Sequence, residues 1–280
     1  MAAGPPGKRW RMRSTPVVAF RVDASLVMGT GHVMRCLTLA QALGKRGAQC
    51  HFMCRAHPGH MIATIRERGF DVAELPAGVR GSRPVPATDV PLPAHAGWLT
   101  CDWQTDADQT LHAAEAIKPD MLVIDHYAVD FRWESALKSI VQCLLVIDDL
   151  ADRRHDCEFL LDQNWFGDDM SLRYQGLIPH HCATMLGPRY ALLRPEYATL
   201  RAHMAPRNGE VGRVLVFMGG SDPTNETGKV LDALMHPDLG HLLVDVVIGA
   251  NHPDPSGIAS AAEARPGTHV YSRLPSLAGL

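Results

Sequence analysis

From Val17 to Leu75 the chain alternates between short continuous apolar runs and apolar residues at helical spacing. Val17-Val18-Ala19-Phe20-Arg21-Val22-Asp23-Ala24 predicts a buried strand. A glycine turn, Gly29-Thr30-Gly31, follows it. From His32 onward Val33, Leu37, Ala40 and Leu43 recur every three or four residues, which predicts a helix stopped by Gly44 and Gly47. Gln49–Arg55 reads as the next strand. Met61, Ile62 and Ile65 mark a short helix ending at Gly69, and Asp71–Leu75 reads as a third strand. This β-α-β-α-β order predicts an open parallel sheet covered by helices.

Residues 76–97 break the pattern with prolines at 76, 84, 86, 91 and 93, the signature of a surface loop. Thr105 and Asp108 then read as a capping pair for a helix through Lys118. Met121–Asp125 predicts a strand, Phe131–Ile140 a helix, Leu144–Asp149 a strand and Phe159–Asp162 a further short strand. Two of these strands end in carboxylates, Asp125 and the pair Asp148-Asp149. In open α/β sheets the carboxyl ends of the strands face the ligand crevice.

Residues 163–211 read as irregular, and the linker between two lobes is expected near 200–211. The same grammar restarts with a strand at Val214–Met218, a turn at Gly219–Asn225 and a helix to Met235. Strands at Leu242–Ile248 and His269–Tyr271 follow, and Pro275 opens a predicted helix. The expected organisation is a basic, disordered extension over 1–15, a Rossmann-like lobe over 16–205 and a partial second lobe over 206–280. The second run is too short to close a normal parallel lobe, so that lobe is expected to be incomplete.

Composition narrows the function classes. Hydrophobic residues are 46% and charged residues 20% of the 280, an ordinary globular balance. A formal net charge of -3 argues against a dedicated nucleic-acid binder. No apolar run approaches the roughly 18 residues of a membrane span. Lys8, Arg9, Arg11 and Arg13 are followed by no apolar segment of signal-peptide type. Seven scattered cysteines fit free thiols in a reducing, cytoplasmic setting. Cys50 and Cys54 have a zinc-like separation, but they lie on a predicted strand and no second pair follows. No metal is expected there.

Three motifs carry candidate chemistry. Gly29-Thr30-Gly31-His32 with Arg35 follows a strand and opens a helix, where free N–H groups and the dipole favour anions. His32 is placed to take a proton from water if a carboxylate or phosphate opposes it, and Arg35 to pair with a phosphate or an acid. A plain tight turn with a solvent-facing His fits the same spacing. Asp125-His126-Tyr127 ends a strand: Asp125 is placed to orient His32 or bind a hydroxyl, and Tyr127 to stack on or hydrogen-bond a sugar or base. A strand-terminal Asp capping the next turn is the alternative. Gly219–Asn225 suits phosphate or ribose contacts through backbone N–H groups and Ser221. It equally suits a helix start with Asp or Thr as cap and Pro as first helical residue. Asp148-Asp149 is a minor metal candidate, because adjacent strand residues diverge.

Taken together, these pieces resemble the UDP-sugar hydrolases of the pseudaminic acid pathway. The resemblance is carried by Arg21–Ser25 with Gly29–Cys36, Leu122–Tyr127, Val146–Ala151, Leu161–Asn164, Leu186–Arg194 and Phe217–Pro223, and runs from about Val18 to the end of the chain. It implies an α/β fold of two Rossmann-like lobes of glycosyltransferase-B type, similar to the MurG glycosyltransferase. It implies hydrolysis of UDP-2,4-diacetamido-2,4,6-trideoxy-beta-L-altropyranose at the anomeric carbon with inversion, releasing UDP and free sugar. His32 is implied as general base on water and Tyr127 as a substrate contact. Gly29, Gly31, Arg35, Asp125, Gly220, Ser221 and Asn225 complete the expected substrate-binding set. The resemblance implies no metal, no cofactor, no nucleic-acid partner and no membrane, only UDP-sugar and water. It also implies a further segment after Leu280, whose Glu binds UDP. A sugar transferase of the same fold and a non-catalytic binding protein are the competing readings.

Overall fold

The computed structural model describes residues 13–78, 90–206, 209–272, 274 and 276–280. Most of the basic extension (1–12), the middle of the proline-rich stretch (79–89) and Pro275, the predicted helix start, lie outside the described residues. The chain divides into two compact units, one of residues 1–28 and 32–192, the other of 29–31 and 193–280.

The first unit is built on a seven-stranded sheet of β1 (Val17–Val22), β2 (Gln49–Arg55), β3 (Asp71–Leu75), β4 (Met121–Asp125), β5 (Leu144–Ile147), β6 (Phe159–Asp162) and β7 (Ala183–Leu186), in the order β3-β2-β1-β4-β5-β6-β7. Every pairing is parallel. The helices are α1 (Gly31–Gly44), α2 (Ile62–Glu67), α3 (Trp103–Ile117) and α4 (Phe131–Leu137). Because side chains alternate along a strand, each strand feeds two cores. Val18, Phe20, Val22, Phe52 and Val123 pack with Val33, Cys36, Leu37 and Ala40 of α1. Ala19, Met53, Leu122, Ile124 and Val146 pack on the opposite face with Ala107 and Ala114 of α3 and Trp133 and Leu137 of α4. The strand order reverses between β1 and β4, which opens a crevice at their carboxyl ends.

The predicted order of elements through β6 holds, with shifts at the edges. The cap of α3 is Asp102, not Thr105: its carboxylate accepts from the Thr105 backbone N at 2.8 Å and from the Thr105 hydroxyl at 2.8 Å. A carboxylate serves both donors where a hydroxyl serves one. The helix predicted to Ile140 ends at Leu137. β7 and the helix α5 (Pro195–Arg201) lie inside the stretch read as irregular.

The second unit carries β8 (Arg213–Val216), β9 (Leu243–Ile248) and β10 (Thr268–Ser272), parallel and in the order β10-β9-β8. Helices α6 (Glu226–Leu234) and α7 (Pro255–Glu263) cover one face; Leu231, Leu234 and Ile258 meet Val216, Val244, Val246 and Ile248. α7 was not predicted, and β8 stops two residues before Met218. The change of unit comes at Leu192–Leu193, ahead of the 205–206 expected from the prolines, because α5 groups with the second unit. Glu196 on α5 accepts from the Ser276 hydroxyl at 3.0 Å.

Two buried polar clusters support the first unit's sheet. On the α3 face, Asp106 accepts from Arg21 Nη2 at 2.7 Å, Arg55 Nη2 at 2.6 Å and Trp133 Nε1 at 2.9 Å, with both arginines and the carboxylate fully buried. Burial opposes ionisation of Asp106, but the arginine charges outweigh it and hold the carboxyl below its usual range. Further along, His155 Nδ1 lies 2.7 Å from Glu134 Oε1, and its Nε2 lies 3.8 Å from Asp148 Oδ2. Burial alone would lower His155, yet Glu134 and Asp148 win and push it up to about 9.

Asp106→Ala leaves Arg55 buried without its carboxylate and Arg21 with Asp23 alone. It is expected to cost about 3–5 kcal/mol in urea unfolding, and a loss under about 1 kcal/mol would contradict this reading. His155 binds its proton more tightly folded than unfolded, so its contribution is complete below the unfolded value near 6.5. That stability is lost as pH rises towards 9. Unfolding midpoints are expected to fall over that window in the native protein and to flatten in His155→Gln. Parallel pH slopes for the two proteins would refute the assignment.

Candidate active site

The crevice at the β1/β4 reversal gathers the first two motifs. Gly29 sits at φ +74°, a conformation that favours glycine, and lets the chain turn from β1 into α1. Gly31 opens α1, and a Cβ there would meet nothing within 4 Å. The protein's own packing therefore does not demand a glycine at 31.

His32 and Arg35 lie three residues apart on α1, hence on one face, and both reach Asp125 at the end of β4. His32 Nδ1 is 2.6 Å from Asp125 Oδ1. Arg35 grips both carboxylate oxygens, Nε to Oδ2 at 2.6 Å and Nη2 to Oδ1 at 2.7 Å. Asp125 is fully buried. Burial would raise its carboxyl, but His32 and Arg35 hold it well below the usual carboxylate range. An ionised carboxylate only accepts, so at 2.6 Å Nδ1 carries the proton it donates, and this contact prevails over the longer approach of the Arg35 Nη2 donor to Nδ1 at 3.3 Å. In a neutral ring the lone pair then lies on Nε2. No hydrogen bond reaches Nε2 among the described residues. His32 keeps 8% of its surface exposed, which differs from the solvent-facing side chain of a plain turn.

Tyr127 follows Asp125 on the same side. Its ring meets His32 edge-on, centroids 4.5 Å apart. Its hydroxyl donates to Asp149 Oδ1, and Arg35 Nη1 donates to Asp149 Oδ2 at 3.1 Å. Burial and the Asp149 carboxylate push the Tyr127 phenol above its ordinary value, so it acts as a neutral donor. Asn164 Nδ2 also donates to Asp149 Oδ2, at 3.3 Å. Asp148 turns away: it accepts from the Ala151 N at 2.9 Å and pairs with Arg153 at 2.8 Å. The two carboxylates read from sequence as a metal candidate thus serve different networks. His126 also turns away. Its Nδ1 accepts from the Ala128 N at 3.2 Å, so Nε2 carries the proton facing Asp23, 3.2 Å off. Burial lowers His126, in line with a neutral ring.

In the second unit Gly220, Ser221 and Asn225 stand in the loop between β8 and α6. Asn225 caps α6, accepting from the Gly228 N at 3.1 Å. This corrects the expected cap: neither Thr224 nor Asp222 takes the position, and Pro223 precedes the helix. Asp222 instead braces the turn from behind, accepting from the backbone N of Glu226 at 2.8 Å and of Thr227 at 2.9 Å. A Cβ on Gly249 would lie 2.4 Å from the Gly219 and Gly220 carbonyl oxygens, so the loop after β9 touches this loop through a glycine.

Sequence reasoning brought together His32, Arg35, Asp125 and Tyr127. It missed the role of Asp149, although the carboxylate at the end of β5 was a visible signal. It also missed Trp98 and His95, in and beside the stretch read only as loop. Trp98 lies 5.9 Å from Tyr127 and 6.5 Å from His32, and His95 lies 4.4 Å from Trp98. No spacing rule marks such a wall.

No family model matches the chain. An uncharacterized protein of Methanocaldococcus jannaschii, MJ1062, is 25% identical over 234 residues, 83% of this chain and 42% of the relative. The UDP-2,4-diacetamido-2,4,6-trideoxy-beta-L-altropyranose hydrolase of Campylobacter jejuni is 24% identical over 217 residues, 78% of this chain and 65% of the relative. The chain thus spans less than two thirds of either relative. Among solved structures, the glycosyltransferase SsfS6 of Streptomyces sp. SF2575 superposes with a TM-score of 0.50 at 14% identity, over 93% of this chain and 72% of that one. The resemblance to the UDP-sugar hydrolases is therefore matched by a curated relative of that family, and the fold is that of the glycosyltransferase-B enzymes.

Proposed function

We propose that this chain acts on a UDP-sugar and hydrolyses it at the anomeric carbon, with His32 as general base. The observation that carries this reading is the Asp125–His32 contact of 2.6 Å, which fixes the proton on Nδ1 and leaves Nε2 to receive one. In the reaction, a water oxygen bonds to the anomeric carbon while the bond from that carbon to the diphosphate oxygen breaks. UDP leaves with the bonding pair, and the water proton passes to His32 Nε2. Asp125 stabilises the imidazolium that forms. Attack opposite the leaving group inverts the anomeric centre.

UDP is a good leaving group, so stabilising its charge matters more than protonating it. The free N–H groups at the start of α1, beside Gly29 and Gly31, suit that role. In the second unit, Gly220 and Ser221 offer backbone and hydroxyl donors of the kind a nucleotide accepts from. Asn225 spends its Oδ1 on the α6 cap, which leaves Nδ2 for substrate. Tyr127, held by Asp149, contacts the sugar. The likeness to the Campylobacter jejuni hydrolase supports a diacetamido-trideoxy-altrose as the sugar, and the proposed reaction is metal-independent, with no step routed through a cation.

The test is UDP release from that UDP-sugar. His32→Gln and Asp125→Asn are each expected to lower kcat by about 100- to 10,000-fold, with folding checked by thermal unfolding. Undiminished turnover in a folded His32→Gln protein would remove the assigned base. EDTA is expected to leave the native rate unchanged; a loss restored by a divalent cation would contradict the metal-independent reaction. Transfer is separated from hydrolysis by acceptors: rate independence from added sugar or alcohol supports hydrolysis, and acceleration with a glycoside product would show transfer.

A further inference from the structure

Outside the crevice, two thiols meet at the starts of neighbouring strands. Cys157 Sγ lies 3.6 Å from Cys182 Sγ. Cys157 is fully buried two residues before β6, and Cys182 is half-buried immediately before β7. The backbone around them is fixed by pairing rather than by the thiols. Phe159 pairs with Ala183, the Ala183 N donates to the Glu158 carbonyl at 2.9 Å, and the Cys182 N donates to the Pro179 carbonyl at 2.9 Å. The sulfurs are therefore brought together by the sheet itself. Other thiols are differently engaged: Cys36 faces Asp125 at 3.5 Å, and Cys50 faces the Ala40 carbonyl at 3.6 Å.

We propose that Cys157 and Cys182 are a modification site that closes reversibly to an intramolecular disulfide when the protein meets a low-molecular-weight disulfide. Cys182 is the attacking residue, because it is the less buried of the two. Its thiolate bonds to one sulfur of the oxidant and expels the other half as a thiolate. Cys157 then loses its proton and attacks the Cys182 sulfur, expelling the second half. The two protein thiols lose two electrons and two protons, and the oxidant is reduced to two thiols. The Cys182 contact and burial push the Cys157 thiol upward, in keeping with its acting second.

The segment between the two cysteines carries Asn164, Arg173 and Tyr174. Asn164 donates to the Asp149 side chain, Arg173 to the Asp149 carbonyl and Tyr174 to Asp148. Closing the disulfide pins both ends of the segment that supports these carboxylates. The inference does not depend on the reaction assigned to the crevice.

The experiment treats the folded full chain with oxidised glutathione, blocks remaining thiols and maps the peptides by mass spectrometry. The expected product is a Cys157–Cys182 cross-linked peptide, about 2 Da lighter than the reduced pair. Dithiothreitol should restore it, and the cross-link should raise Tm by roughly 5 °C. Cys157→Ser is expected to trap a stable glutathione adduct on Cys182. A lasting adduct on Cys182 in the native protein, a disulfide between other cysteines, or both thiols still free would each overturn the proposal. Peptide mapping of the native protein decides the matter even if the variant does not fold.

Discussion

The Asp125 carboxylate sits fully buried at the end of a central strand, and the geometry of the crevice follows from how it is paired. Two side chains from one helix face meet it, the His32 imidazole on one oxygen and the Arg35 guanidinium on both. A lone buried carboxylate would be driven to its neutral form. Arg35 keeps it ionised, and an ionised carboxylate in turn dictates where the His32 proton sits. The same Arg35 reaches Asp149, and Asp149 holds Tyr127 against the imidazole ring. One helix turn, spaced by three residues, thereby sets the orientation of a carboxylate, an imidazole and a phenol.

The opposite side of the same strand ends does a different job. Asp23 accepts from the Arg55 N at 2.7 Å, faces His126 at 3.2 Å and lies 2.8 Å from Arg21. It thereby links the carboxyl ends of β1, β2 and β4. Asp106 on α3 closes this cluster from the helix layer. Buried ion clusters contribute little net stability against apolar replacements, but they are costly to break and geometrically specific. Here the cluster pins three strand ends from behind, so the residues facing the crevice are presented at fixed positions.

Much of this was legible in the sequence because it rests on period. Strands β1 to β6 announce themselves as apolar runs, and His32, Arg35, Asp125 and Tyr127 follow from the rule that chemistry gathers at the carboxyl ends of parallel strands. The alternation of Asp125, His126 and Tyr127 is a strand property, yet which side faces the crevice required the sheet order. Other features had no local signature. Arg21 and Asp106 are far apart in sequence, and each looks like an ordinary surface charge until α3 is laid on β1. β7 and α5 are short and carry prolines nearby, so turn signals masked them. Asp102 has Thr105 three residues on, whereas Thr105 has the acid Asp108, so the capping-box pattern points one turn too late. Trp98 joins the aromatic wall beside Tyr127 through tertiary contact alone.

The central claim concerns a single proton, and nitrogen-15 NMR of the His32 ring reads it most directly. With the ring in its neutral form, the account predicts a protonated, pyrrole-type Nδ1 and an unprotonated, pyridine-type Nε2, with that preference lost in Asp125→Asn. A neutral ring carrying its proton on Nε2 in the native protein would contradict the account, because the nitrogen assigned to accept a proton from water would already hold one.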